Sequence, residues 1–181
     1  MPMVTRRKKL RRSGRPGADP GVVSQAVGRL LKGYAERGVF RSFSAGQRRG
    51  GTTTYQMVWH HGRPFRFVLD TTAGLVSFPT LLPEVPSRSP MQRELKAFLG
   101  AFETDDVPVH RRIDPAKGQL RITRRAGGLA VGLLVKNGEF EYCTRRLAHL
   151  AQEVFLVFLP DGPYYEYRVE KLGLDPNVAW A

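Results

Sequence analysis

Several groups of side chains in this 181-residue chain are of the types that perform or assist chemistry. His60-His61 offers two imidazoles, which are common metal ligands. Neighbouring residues on a strand point to opposite faces, so such a pair cannot chelate one ion from a regular strand. The predicted arrangement is one imidazole packed and the other exposed beside a turn. His110 and Asp114, four residues apart, have the types of an orienting pair, but no nucleophile is spaced to complete a triad. Between them, Arg111 and Arg112 carry the guanidinium forks that grip a phosphate or a carboxylate. Asp105-Asp106 places two carboxylates in a loop, where they could meet a cation, whereas Glu139 and Glu141 suit the positive end of a helix and need no catalysis. Gly46 to Gly51 lacks the Lys-Ser/Thr ending of a phosphate loop, and Gly127-Gly128 joins two strands rather than a strand and a helix. Cys143 is the only cysteine, which excludes an intramolecular disulfide and a thiolate zinc cage. These residues compose no active site, no cofactor site and no metal site, so the expectation is a non-enzymatic protein.

The arginines point elsewhere. The formal net charge is +13, and seven of the 29 Lys and Arg lie before Gly17: Arg6, Arg7, Lys8, Lys9, Arg11, Arg12 and Arg15. The other 22 face 16 acids, a net of +6 for the body. Residues 1 to 18 show no periodicity and read as a disordered basic tail, with residues 19 to 181 as a single domain. Arginine doublets recur at Arg48-Arg49, Arg111-Arg112, Arg124-Arg125 and Arg145-Arg146. If Arg111, Arg112, Arg124 and Arg125 converge with the tail, they form an anion surface suited to nucleic acid. No uninterrupted apolar run approaches the roughly 18 residues of a membrane span, and Met1 to Arg15 lacks the apolar centre of a secretion signal, so a cytoplasmic location is expected.

The elements that must position these groups are legible in the hydrophobic periodicity. Asp19-Pro20 opens a helix whose face is Val23, Val27, Leu30, Leu31 and Tyr34, closed at Gly38. Val39 to Ala45, Thr52 to His61 and Phe65 to Asp70 read as strands of a meander, with Gly62-Arg63-Pro64 as one of its turns. Leu75 to Phe78 is either a short fourth strand or a continuation past a bulge, and Pro79, Pro83, Pro86 and Pro90 exclude regular structure as far as the next helix. That helix opens on Ser89-Pro90, with Gln92 placed for a capping box, and buries Leu95, Phe98, Leu99 and Phe102. A short strand is expected at Val109 to Ile113, followed by a hairpin of Leu120 and Ile122 against Leu129, Val131, Leu133 and Val135. Cys143, Leu147, Leu150, Val154 and Phe158 then form one face of a long helix, on which Cys143 is a small buried hydrophobe. After Pro160-Asp161-Gly162-Pro163 the tyrosine-rich segment fits an edge strand or a helical turn. The fold class is α+β: an antiparallel sheet, built from a meander and a C-terminal hairpin, flanked by three amphipathic helices.

Val22 to Arg37, Tyr55 to Leu69, Phe78-Pro79-Thr80-Leu81-Leu82-Pro83 leading into Arg93 to Phe102, and Gln119 to Phe158 follow one another in an order that resembles the type III secretion chaperone-like fold, in its YbjN-like branch. The resemblance is topological and covers nearly the whole body. It implies a chaperone-like adaptor or regulator that binds another protein, often as a dimer, without catalysis or cofactor. The alternative from the residues themselves is a nucleic-acid-associated protein, whose tail and arginine doublets meet phosphates.

Overall fold

The computed structural model describes residues 19–125 and 127–174. The basic tail, with Arg6, Arg7, Lys8, Lys9, Arg11 and Arg12, lies outside the described residues. Helix α1 (Pro20–Glu36) begins where Asp19 accepts hydrogen bonds from the amides of Gly21 (2.7 Å) and Val22 (3.2 Å), and it ends before Gly38 at φ 78°. Four strands follow in a meander: β1 (Ser42–Ala45), β2 (Thr52–Trp59), β3 (Arg63–Asp70) and β4 (Leu75–Pro83). Helix α2 (Pro90–Gly100) runs into a single 3-10 turn, Ala101–Glu103. After a loop come β5 (Gly118–Arg125) and β6 (Gly128–Val135), then α3 (Phe140–Glu153), which continues through a π turn (Val154–Phe158) and a last α turn (Leu159–Asp161). A short helix, Tyr165–Glu170, closes the described chain.

All six strands pair antiparallel in the order β1-β2-β3-β4-β6-β5, so the hairpin β5-β6 inserts its second strand against β4. Alternation separates two faces. On the inner face, Tyr55, Met57, Phe67, Leu69, Val76, Phe78, Val131 and Leu133 are buried in one core with the helices. Tyr55 donates to the carbonyl of Ser24 on α1 at 2.7 Å, and Phe65 meets Phe155 of the π turn edge-on at 5.5 Å. Helix α2 joins the same layer through Phe98 against Phe158, 5.3 Å apart. Through the π turn Val154, Phe155, Phe158 and Leu159 are buried, while Leu156 is exposed.

The structure corrects four of the expected elements. His60 and His61 are not in a strand: β2 ends at Trp59, and both have positive φ (38° and 62°) in the turn with Gly62. Arg63 and Pro64 belong to β3, paired with Trp59 and Val58, rather than to that turn. Regular structure persists through Pro79 to Pro83, because the register of β4 against β6 shifts between Phe78 and Leu82. Pro79 sits inside that bulge, where no ladder bond needs its missing N–H. Val109 to Ile113 forms turns and not a strand, since Val109 and His110 face solvent. The tyrosine-rich segment takes the helical alternative. It is tied down by Tyr167 donating to the Pro83 carbonyl at 2.7 Å, by Tyr164 donating to Glu94, and by Arg63 donating to the Leu172 carbonyl at 2.6 Å.

Candidate functional site

The outer face of the sheet is set by register. Thr54, Val68, Ser77, Gly132 and Arg121 lie directly opposite one another in one rung crossing β2, β3, β4, β6 and β5. The next rung is Thr52, Asp70, Leu75, Leu134 and Gln119. Apart from the small residues Ala130 and Gly132, the side chains of this face are exposed or half-buried, and none forms a hydrogen bond or ion pair with a helix among the described residues. Two shallow grooves run along it. One, of about 220 Å³, has an aliphatic floor of Leu75, Ala130 and Leu134 rimmed by Arg121, Thr123 and Arg125. The other, of about 240 Å³, lies between Ser42, Ser44, Gln56, Val58 and Arg66. Gly132 keeps the first groove shallow-walled and close: a Cβ there would come within 2.7 Å of the Val76 carbonyl. Arg66 and Arg125 have no hydrogen-bond or ion-pair partner among the described residues, and Arg121 reaches only its neighbour Gln119 at 3.4 Å.

Strand alternation divides the doublet at the hairpin. Arg124, opposite Leu129, turns inward and donates to the Val85 carbonyl at 2.7 Å, while Arg125, opposite Gly128, stays on the outer face. Arg111 and Arg112 are both engaged inside the fold. Arg111 donates to Glu153 at 2.5 Å, and Arg112 holds Asp105 and the Val107 carbonyl. The four described arginines of the expected anion surface therefore do not converge, and only Arg125 presents an unpaired guanidinium. Arg48 and Arg49 lie exposed in the β1-β2 loop, and Arg145 pairs with Glu141 along α3 at 3.6 Å.

Two other places stand out, of which only the second is singled out by the sequence. His149 and Glu153, one turn apart on α3, stand 3.3 Å from each other, and Arg111 closes the group from the loop before β5. Burial holds His149 below the usual imidazole range; Glu153 pulls it upward, while Arg146 and Arg111 push it down. The i, i+4 spacing of His149 and Glu153 is the signal available in the sequence, but the loop arginine is not. The second place is His60, whose ring is stacked between Trp59 (4.1 Å) and Phe155 (4.4 Å) with its Nε2 buried and without a hydrogen-bond partner among the described residues. Burial, and then the charge of His61, depress its pKa to about 4, so it is neutral near pH 7.

His110 is exposed, and the Asp114 side chain accepts from the Ala116 amide at 2.9 Å in its own turn. Asp105 is taken by Arg112, and no group of three His, Cys, Asp or Glu side chains suited to a metal ion occurs among the described residues. Burial pushes the Cys143 thiol up to about 12, with Glu139 adding to the effect, and its Sγ donates to the Lys117 carbonyl, so it is inert at neutral pH. No described helix is long and apolar enough to cross a membrane. No family model matches the sequence, and no curated protein or solved structure matches it either.

Proposed function

We propose that this chain is a non-enzymatic, protein-binding module that receives its partner on the uncovered face of the sheet. The observation that carries this is the outer face itself: six strands wide, bare of helices among the described residues, with one aliphatic-floored groove, Arg66 and Arg125 unpaired among the described residues, and Arg121 held only by its neighbour Gln119. An exposed sheet face with apolar grooves and free polar groups is the kind of surface on which partners dock. The adaptor role implied by the YbjN-like resemblance is in keeping with it. Binding of nucleic acid receives less support. Among the described residues the outer face carries no aromatic side chain for stacking bases, and Arg111, Arg112 and Arg124 are occupied internally.

A photo-reactive residue placed at Ser77, in the middle of the outer face, tests the proposal in the native cell. The expected result is a protein adduct that survives nuclease and disappears when Arg121 and Arg125 are both changed to Glu. The same probe at exposed Arg145 on α3 serves as the control. A nuclease-sensitive adduct, or equal labelling from both positions, would overturn it.

A further inference from the structure

The outer face ends at β5, and the edge of that strand is only half closed. The Leu120 N–H points away from β6 and donates to Glu103 Oε1 at 2.7 Å, and the Gly118 N–H donates to the Asp114 carbonyl at 3.0 Å. Alternate residues of an antiparallel strand turn their backbone groups the same way, so Ile122 and Arg124 also direct their N–H and C=O outward, away from β6. No hydrogen bond reaches either N–H among the described residues, and Thr123, Arg124 and Arg125 are exposed. The first half of the edge is thus capped by the chain itself, and the second half is an open template for a further strand.

Charge decides what that strand can be. Arg121, Thr123 and Arg125 stand in a row on the outer face of β5, two of the three cationic and without an acidic partner among the described residues. Side chains of an added strand on the same face would lie directly opposite this row, where opposite charges attract and like charges repel. A second copy pairing its own β5 here would set arginines against arginines, which disfavours self-association by this edge. The other edge, β1, is four residues long and offers only Ser42 and Ser44 on the outer face. We infer that β5 takes an extended segment of a partner protein as a seventh strand, with acidic residues at alternate positions facing Arg121, Thr123 and Arg125. This inference rests on the protein-binding function proposed above and names the partner's chemistry.

The test is an amide NMR titration of the full-length protein with a synthetic octapeptide that alternates Val and Glu. Expected are slowed exchange and shifted resonances at the Ile122 and Arg124 amides. N-methylation of one alternate set of peptide residues should abolish binding and N-methylation of the other should not, the signature of a strand held by one edge. Changing Arg121 and Arg125 to Glu should weaken binding at least tenfold, leave the melting temperature unchanged, and transfer preference to a Val/Lys octapeptide. Equal binding by both N-methylated peptides, or full affinity in the charge-reversed variant, would overturn the inference. Shifts at Val68, Ser77 and Gly132 with Ile122 and Arg124 unmoved would also overturn it while leaving the protein-binding function standing; oligouridylate moving the arginine row in place of the peptide would remove both.

Discussion

Acid should destabilise this fold through His60, and the size of the effect follows from how the ring is held. Protonation would place a charge between Trp59 and Phe155 and add a proton to a ring whose buried Nε2 finds no acceptor. The folded pKa is lowered from 6.5 to about 4, while the unfolded chain titrates near 6.5. Between those values the unfolded state binds one more proton than the folded state, so stability is whole above pH 6.5 and falls as the pH drops toward 4. Each pH unit in that window costs about 1.4 kcal/mol, which over the full shift comes to about 3 kcal/mol. His60→Phe keeps an aromatic in the stack and removes the titration. Urea unfolding of both proteins at intervals from pH 4 to pH 7.5 isolates the effect, because the contribution of His149 is common to the two and cancels in their difference. The wild type should lose about 3 kcal/mol more than the variant across this range. Parallel stability curves, or an imidazole titration of His60 near 6.5 by NMR, would refute the reasoning.

Two further outcomes are expected. Gly128→Ala should destabilise the domain by about 3 kcal/mol or more, measured by urea unfolding, because the glycine has φ 153° and its new Cβ would lie 2.2 Å from the Leu82 carbonyl, on backbone that cannot swing aside. At the α3 cluster, two substitutions should move one imidazole in opposite directions: Glu153→Gln removes the charge that raises His149 and should lower its pKa further, whereas Arg111→Ala removes a charge that lowers it and should raise it, both read by NMR titration.

Elements that depend on local periodicity were legible in the sequence, and those that depend on distant contacts were not. The Asp19-Pro20 and Ser89-Pro90 caps, the hairpin and the Cys143 to Phe158 stripe are visible because each is specified within a few turns or one strand pair. The extent of β4 is hidden because prolines normally end strands; here a bulge, stabilised by the insertion of β6 alongside, accommodates Pro79. Val109 to Ile113 reads as a short strand but has no strand partner among the described residues; the Ile113 N–H donates to the Phe102 carbonyl. Its arginines instead anchor the loop on Glu153 and Asp105.

The same distinction governs the candidate site. Arginine doublets are conspicuous in the sequence, and a doublet on a strand must split, one member to each face. At the hairpin the inner member, Arg124, is used up by the Val85 carbonyl, and the outer member, Arg125, has no partner among the described residues. What groups Arg125 with Arg121 is their even spacing on β5, and what places both beside Leu75 and Leu134 is the pairing of β6 with β4, a contact between segments some sixty residues apart. The unit proposed to recognise a partner is therefore a row of alternate residues rather than a run of adjacent ones. Its cationic members project from the side of the sheet away from the helices, so reversing their charge should alter binding without disturbing the core.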